Sequence, residues 1–300
     1  MPVRFGISPI GWSNDDLAAL GGDTPLETCL AEARLAGFAG IELGNKFPRD
    51  ASVLRPILER HSLSLVSGWY SGHLLERSVA EELTAIEAHR TLLAAMGCAV
   101  LVYAETSGGI AGDQHRPLSG RPRLRDDNWR DFGQKLTELA DALARRGIRL
   151  AYHHHMGTVV ESETEIDRLM QATGDSVGLL LDTGHLFFAG AEPAAVARRY
   201  AGRIVHVHCK DVRRDALARV RASDASFLAA VLDGVFTVPG DGCIDFAAVL
   251  VALAAVHYEG WLVVEAEQDP AKASPLSYAR LGFEHMSAAA ADAGLIKRER

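Results

Sequence analysis

Four apolar runs in this chain end in ionisable residues of the kind that hold metal ions and move protons. Val177-Gly178-Leu179-Leu180-Leu181 leads into Asp182-Thr183-Gly184-His185, and the run from Ile148 to Tyr152 leads into His153-His154-His155. Ile204 to Val207 is followed by His208, and Trp261 to Val264 by Glu265. Apolar runs of this length read as strands covered on both faces, and a parallel sheet presents its functional groups at the carboxyl ends of its strands. Imidazoles and carboxylates without a thiolate suit Mn²⁺, Co²⁺, Fe²⁺ or Zn²⁺ better than Ca²⁺, and Mn²⁺ or Co²⁺ is the first choice. A metal held there acts as a Lewis acid on a carbonyl and its neighbouring hydroxyl, which is the chemistry of proton abstraction next to a ketone.

Strand side chains alternate, so His206 shares a face with His208, His153 with His155, and Glu265 with Glu267. Each residue also has a plain structural alternative. Asp182 is well placed to cap a following helix, and His208 alone fits a satisfied core histidine. An unpaired Glu265 at the end of Leu262-Val263-Val264 would be costly to desolvate. The ends of other strands add candidates. Lys46 could donate a proton to a leaving hydroxyl or pair with an enolate. Asn14, Asp15 and Asp16 could bind polyol hydroxyls or cap a helix. Glu105, His73, His185 and Lys210 are further pocket candidates.

The elements that must position these groups follow one phrase: helix, glycine, strand. Candidate strands fall near Val3 to Ser8, Phe38 to Leu43, Leu63 to Ser67, Ala99 to Ala104, Ile148 to His153, Val177 to Asp182, Ile204 to His208 and Trp261 to Glu265. The helical patterns between them stop at Gly37, Gly97, Gly147 and Gly202, since glycine takes the left-handed conformation at little cost. Eight repeats predict an α/β fold closed into a (β/α)₈ TIM barrel, a single domain over residues 1–300. No GxGxxG or GKS segment follows a strand, so an open nucleotide-binding sheet has no support. Two long loops, 106–127 and 210–245, are expected over the carboxyl-end face. The first carries Arg116, Arg121, Arg123 and Arg125. The second is expected to cover the pocket, with Gly240-Asp241-Gly242 mobile or tightly turned.

Composition narrows the function. A net charge of −8 over 300 residues argues against a nucleic-acid partner. Cys29, Cys98, Cys209 and Cys243 are scattered, with no CxxC pair, which points to a reducing cytoplasmic setting and away from a disulfide framework. No export signal and no membrane-spanning stretch is evident. A homo-oligomer is compatible with all of this.

Several phrases carry a resemblance. Ile41-Glu42-Leu43-Gly44-Asn45-Lys46-Phe47-Pro48, Tyr152-His153-His154-His155-Met156-Gly157-Thr158, Leu181-Asp182-Thr183-Gly184-His185, His206-Val207-His208-Cys209-Lys210-Asp211 and Glu265-Ala266-Glu267-Gln268-Asp269-Pro270 resemble the xylose-isomerase-like barrel superfamily. Within it they are most similar to the inosose dehydratases of inositol catabolism. The resemblance implies metal ligands at His153, Asp182, His208 and Glu265. Strand five departs from the superfamily, which generally has glutamate where this chain has His153, and His155 lies on the same face. The implied reaction removes water from 2-keto-myo-inositol (scyllo-inosose), a small polyhydroxy ketone, to give a trihydroxycyclohexane-1,2-dione. His153, His155 or Glu265 would take the α-proton, and Lys46 or His185 would protonate the leaving hydroxyl. Asn14, Asp15, Lys46, Glu105 and Lys210 would bind substrate, and glutathione enters as a cofactor through the resemblance alone. The alternative is a divalent-metal keto-sugar isomerase or epimerase, whose product keeps the substrate's mass. A DNA-repair endonuclease and a non-catalytic sugar binder are the remaining readings of the same scaffold.

Overall fold

The apolar runs become the staves of a closed barrel. In the computed structural model, which describes residues 3–297, eight parallel strands pair in sequence and the last closes on the first. They are β1 (Arg4–Ile7), β2 (Gly40–Leu43), β3 (Ser64–Gly72), β4 (Val100–Glu105), β5 (Arg149–His153), β6 (Val177–Asp182), β7 (Ile204–Cys209) and β8 (Trp261–Val264). The outermost ends of the single domain expected over 1–300 lie outside the described residues.

Helices shield the barrel: α1 (Leu26–Leu35), α2 (Ala51–Arg60), α3 (Val79–Ala95), α4 (Trp129–Ala144), α5 (Glu163–Ala172), α6 (Thr183–Phe188), α7 (Pro193–Arg199), α8 (Arg214–Ser223), α9 (Phe227–Leu232), α10 (Phe246–Ala254) and α11 (Pro275–Asp292). The starts of α3 and α5 are fixed by reciprocal capping boxes, Ser78 with Glu81 and Ser162 with Glu165, each satisfying two otherwise orphaned amide groups. Inside the barrel, Val102, Ala151, Leu180 and Val205 form one apolar cluster and Val66, Trp261 and Val263 another. Alternation along the strands then puts His153, Asp182 and Glu265 on the same inward face as Ala151, Leu180 and Val263, and His208 inward through its pairing with Asp182. In the register of β6 on β7, Asp182 stands opposite His208, and in that of β8 on β7, Val263 stands opposite His208.

Two sequence expectations change. Strand β3 continues to Gly72, beyond the expected Ser67, and so carries Trp69 to the carboxyl-end face. The stretch 210–245 is largely ordered structure and not an open loop. It contains α8, α9 and a short antiparallel pairing of Asp211–Val212 with Phe236–Thr237. The arginines of α8 mask its apolar spacing, because Ala216, Leu217 and Val220 still share a buried stripe. Among the described residues no helix is long and apolar enough to cross a membrane.

Candidate metal centre

At the carboxyl ends of the strands a cavity of about 440 Å³ opens, lined by His153, His155, His208, Glu265 and Glu267 among others. The centre at its floor is built from β5 to β8. The ligand atoms of His153, Asp182 and His208 lie within 4.8 Å of one another, and all three residues are buried. Asp182 Oδ2 is 3.5 Å from His153 Nε2 and 3.5 Å from His208 Nδ1, and Glu265 Oε2 is 2.8 Å from that same His208 nitrogen.

Hydrogen bonds settle which ring nitrogens face inward. His153 Nδ1 donates to the carbonyl of His154 at 2.6 Å and His155 Nδ1 to that of Met156 at 2.8 Å, leaving both Nε2 atoms with lone pairs. His208 is fixed from across the barrel. Its Nε2 donates to Glu42 Oε1 at 3.2 Å, so Nδ1 carries the lone pair. The same oxygen accepts from His206 Nε2 at 2.9 Å and Ser67 Oγ at 2.5 Å. Burial alone would lift the Glu42 carboxyl, but His208 and His206 hold it well below the usual range.

The fit to a cation follows from what is left unpaired. Asp182 Oδ2 and His208 Nδ1 are buried with no hydrogen-bond partner among the described residues. Asp182 Oδ2, His208 Nδ1 and Glu265 Oε2 converge at these distances, an arrangement that a cation seated among them would satisfy. Nitrogen and oxygen donors of this kind suit a divalent transition ion. Asp182 caps α6 through Oδ1, which accepts from His185 N at 2.8 Å, while Oδ2 faces the centre.

Other sequence candidates are distributed around this floor. His155 lines the cavity, and burial pushes its imidazole down to about 3, so it is neutral. Glu267 also lines the cavity, and burial pushes its carboxyl up to about 7. His185 and Lys210 are fully buried behind these residues and do not line the wall. Asp15 and Asp16 stand at the mouth, Asp15 accepting from Asn45 N at 3.2 Å. Asn14 turns inward to its own chain, accepting from Asp16 N and Leu17 N, and does not line the cavity. Glu105 is likewise structural in its contacts, accepting from Leu74 N at 2.8 Å and Ser107 N at 3.1 Å. His73 lies nearby, its Nδ1 3.5 Å from Glu76. Lys46 is directed away from the cavity because its ammonium is taken up by the carbonyls of Gly21, Gly22 and Thr24 at 3.1, 2.7 and 2.5 Å.

The two long segments also part company. Thr106, Gly109, Ala111 and Gly112 from 106–127 line the cavity, whereas no residue of 210–245 does. That second segment packs behind the histidines, with Phe227 against His155 and both Phe227 and Phe236 against His185. Its Gly240–Gly242 turn is tight, since the Asp211 carboxylate accepts from Gly240, Gly242 and Ile244 N. Of the arginines in 106–127, Arg121 is buried, bound to Glu165 at 2.8 Å and close to Glu161. Sequence reasoning missed Glu42, Arg49 and Trp69. Glu42 follows Ile41 in an apolar run and could have been found by the same strand-end signal as Asp182. Trp69, 40% exposed, borders the cavity with its ring 5.3 Å from that of His153 and 5.4 Å from that of His155.

The family model described as xylose isomerase-like TIM barrel matches residues 30–289. The chain belongs to that family. It is 54% identical over 294 residues to a rhizopine catabolism protein of Rhizobium meliloti, covering 98% of this chain and 90% of the relative. It is 47% identical to an inosose dehydratase of Geobacillus thermodenitrificans, covering 92% and 94% of the two chains. Among solved structures it resembles the IOLI protein with a bound zinc atom, with a TM-score of 0.67 at 16% identity over 99% of this chain and all of the other.

Proposed function

We propose that this chain is an inosose dehydratase, a metal-dependent hydro-lyase of inositol catabolism that removes water from 2-keto-myo-inositol. One observation carries the metal part of the reading: two buried atoms, Asp182 Oδ2 and His208 Nδ1, face each other without hydrogen-bond partners beside His153 and Glu265. His153, Asp182, His208 and Glu265 would hold the ion, with Mn²⁺ or Co²⁺ the first choice. Bound there, it would supply Lewis-acid stabilisation of negative charge on the ketone oxygen and its neighbour.

The side chains left on the wall divide the proton work. His155 presents a neutral imidazole whose Nδ1 is held by a backbone carbonyl, so Nε2 is the atom that accepts the α-proton. Glu267, beside it in the same cluster, delivers a proton to the departing β-hydroxyl, which leaves as water. Trp69 offers an aromatic face at the mouth for the C–H face of a ring, and Asp15 and Asp16 offer acceptors for its hydroxyls. Four free cysteines support a cytoplasmic location.

The test is direct. Purified protein with Mn²⁺ is incubated with scyllo-inosose, and the product is followed by dione absorbance and mass. Loss of one water is the expected result. A product of unchanged mass would mean isomerase or epimerase chemistry and overturn the reading.

A further inference from the structure

Behind Glu265 lies a second cluster of ligand-type side chains. His155, His185 and Glu267 are all buried, with ligand atoms within 4.8 Å of one another. Lys210 fills it. Its Nζ is 3.0 Å from His185 Nε2, 2.9 Å from Glu267 Oε2 and 2.7 Å from Glu265 Oε1. Carboxylate oxygens of Glu265 and Glu267 accept from one ammonium, with the His185 ring nitrogen against it.

The path of this side chain is built into the fold. Gly184 makes room for its stem, since a Cβ there would lie 2.5 Å from Lys210 Cγ. Lys210 N donates to Thr183 Oγ1 at 3.0 Å, and the Phe236 ring lies 4.9 Å from Nζ. Glu265 straddles the two clusters, with Oε2 2.8 Å from His208 Nδ1 and Oε1 2.7 Å from Lys210 Nζ. Asp182 Oδ2 is 3.8 Å from the same ammonium. A carboxylate with one oxygen turned to each of two neighbouring cations is the bridging arrangement of two-metal centres.

We infer that the Lys210 ammonium occupies the place of a second divalent cation, so that this centre takes one metal ion and not two. The inference rests on the metal reading above. It gives Lys210 a different part from substrate binding: it neutralises Glu265, donates to Glu267 Oε2 and leaves the other oxygen of Glu265 facing His208. The ligand that its removal would admit is a transition dication, held by His155, His185 and Glu267 with Glu265 as the bridge.

The experiment counts Mn²⁺ bound per full-length chain, by equilibrium dialysis and elemental analysis, in the parent, Lys210→Ala, Lys210→Arg, and Lys210→Ala combined with Glu267→Gln. Expected are one ion for the parent, two for Lys210→Ala with a spin-coupled pair in its electron paramagnetic resonance spectrum, and one for each of the others. A parent with two ions, a folded Lys210→Ala with one, or a Lys210→Arg with two would overturn the inference. A parent that binds none would overturn the metal reading and this inference with it. Circular dichroism settles the case of a variant that misfolds. Lys210→Ala folding only when Mn²⁺ is supplied supports the inference, because the ion restores the missing charge. The same variant unfolded at every Mn²⁺ concentration would refute it.

Discussion

Glu42→Gln separates two things that a carboxylate can do for a metal centre without touching the metal. Glu42 Oε1 receives three donors, Ser67 Oγ at 2.5 Å, His206 Nε2 at 2.9 Å and His208 Nε2 at 3.2 Å. Glutamine keeps an oxygen acceptor of the same shape and removes only the charge that raises the basicity of His208 Nδ1. Loss of such an outer partner typically lowers metal affinity 10- to 100-fold, about 1.4–2.7 kcal/mol. The bond to His208 is the longest of the three and shares its oxygen, which places the expected loss near the lower end, about tenfold. Glu42→Ala differs in kind. It strands two imidazole N–H groups and a hydroxyl in the barrel, at about 1–3 kcal/mol each, and should lower stability by several kcal/mol as well. Calorimetric titration of metal-free protein with Mn²⁺ gives the affinity, and thermal unfolding of the same samples gives the stability. A glutamine variant with the parent's Kd, or one destabilised as much as the alanine variant, would refute the argument that Glu42 tunes His208 electrostatically.

Further outcomes follow from the same structure. A chelator should abolish turnover, with Mn²⁺ or Co²⁺ restoring it; Asp182→Asn should lose most bound metal yet unfold within about 1 kcal/mol of the parent, because an amide oxygen still caps α6, as metal analysis beside thermal unfolding will show. His155→Gln should keep one full equivalent of metal while losing turnover, since it lines the cavity but belongs to the other cluster; metal loss on that substitution would reassign it as a ligand. Trp69→Ala should raise KM about two- to tenfold with a smaller effect on kcat, the range expected for an aromatic contact of about 0.5–1.5 kcal/mol, and steady-state kinetics on scyllo-inosose would contradict this if KM stayed put. Gly242→Ala should destabilise the chain measurably in denaturant titration, because the new Cβ would fall 2.2 Å from Asp211 Oδ1 in a backbone-to-carboxylate turn.

The barrel was legible because its strands are covered on both faces, which writes them as apolar runs, and because glycines mark the helix ends. Asp182, His208 and Glu265 end such runs, and the structure brings them together with His153. What the sequence concealed are relations set by three-dimensional closure. Glu42 lies inside its apolar run, one residue before the end of β2, and its contact with His208 crosses the barrel from β2 to β7. Lys46 looked exposed to the pocket from its place after β2, yet nearby carbonyls of residues 21–24 take its charge. Lys210, polar and two residues past His208, carried no sign that it would be fully buried; that depends on Gly184 and on where Glu267 ends up. The helices α8 and α9 were hidden for a different reason. Their buried stripes are short and interrupted by arginine or serine, so local composition resembles a surface loop.

Three of the inward-facing histidines are prepared for their tasks on different schedules. His153 and His155 receive their tautomers from the carbonyl of the very next residue, so a few peptides at the end of β5 suffice to set them, however little of the remaining chain has folded. His208 depends on a carboxylate 166 residues away and becomes a defined donor only when β2 and β7 occupy opposite walls of a closed barrel. High-affinity metal uptake therefore reports ring closure. A chain misassembled anywhere between those two strands would lack the partner that fixes His208.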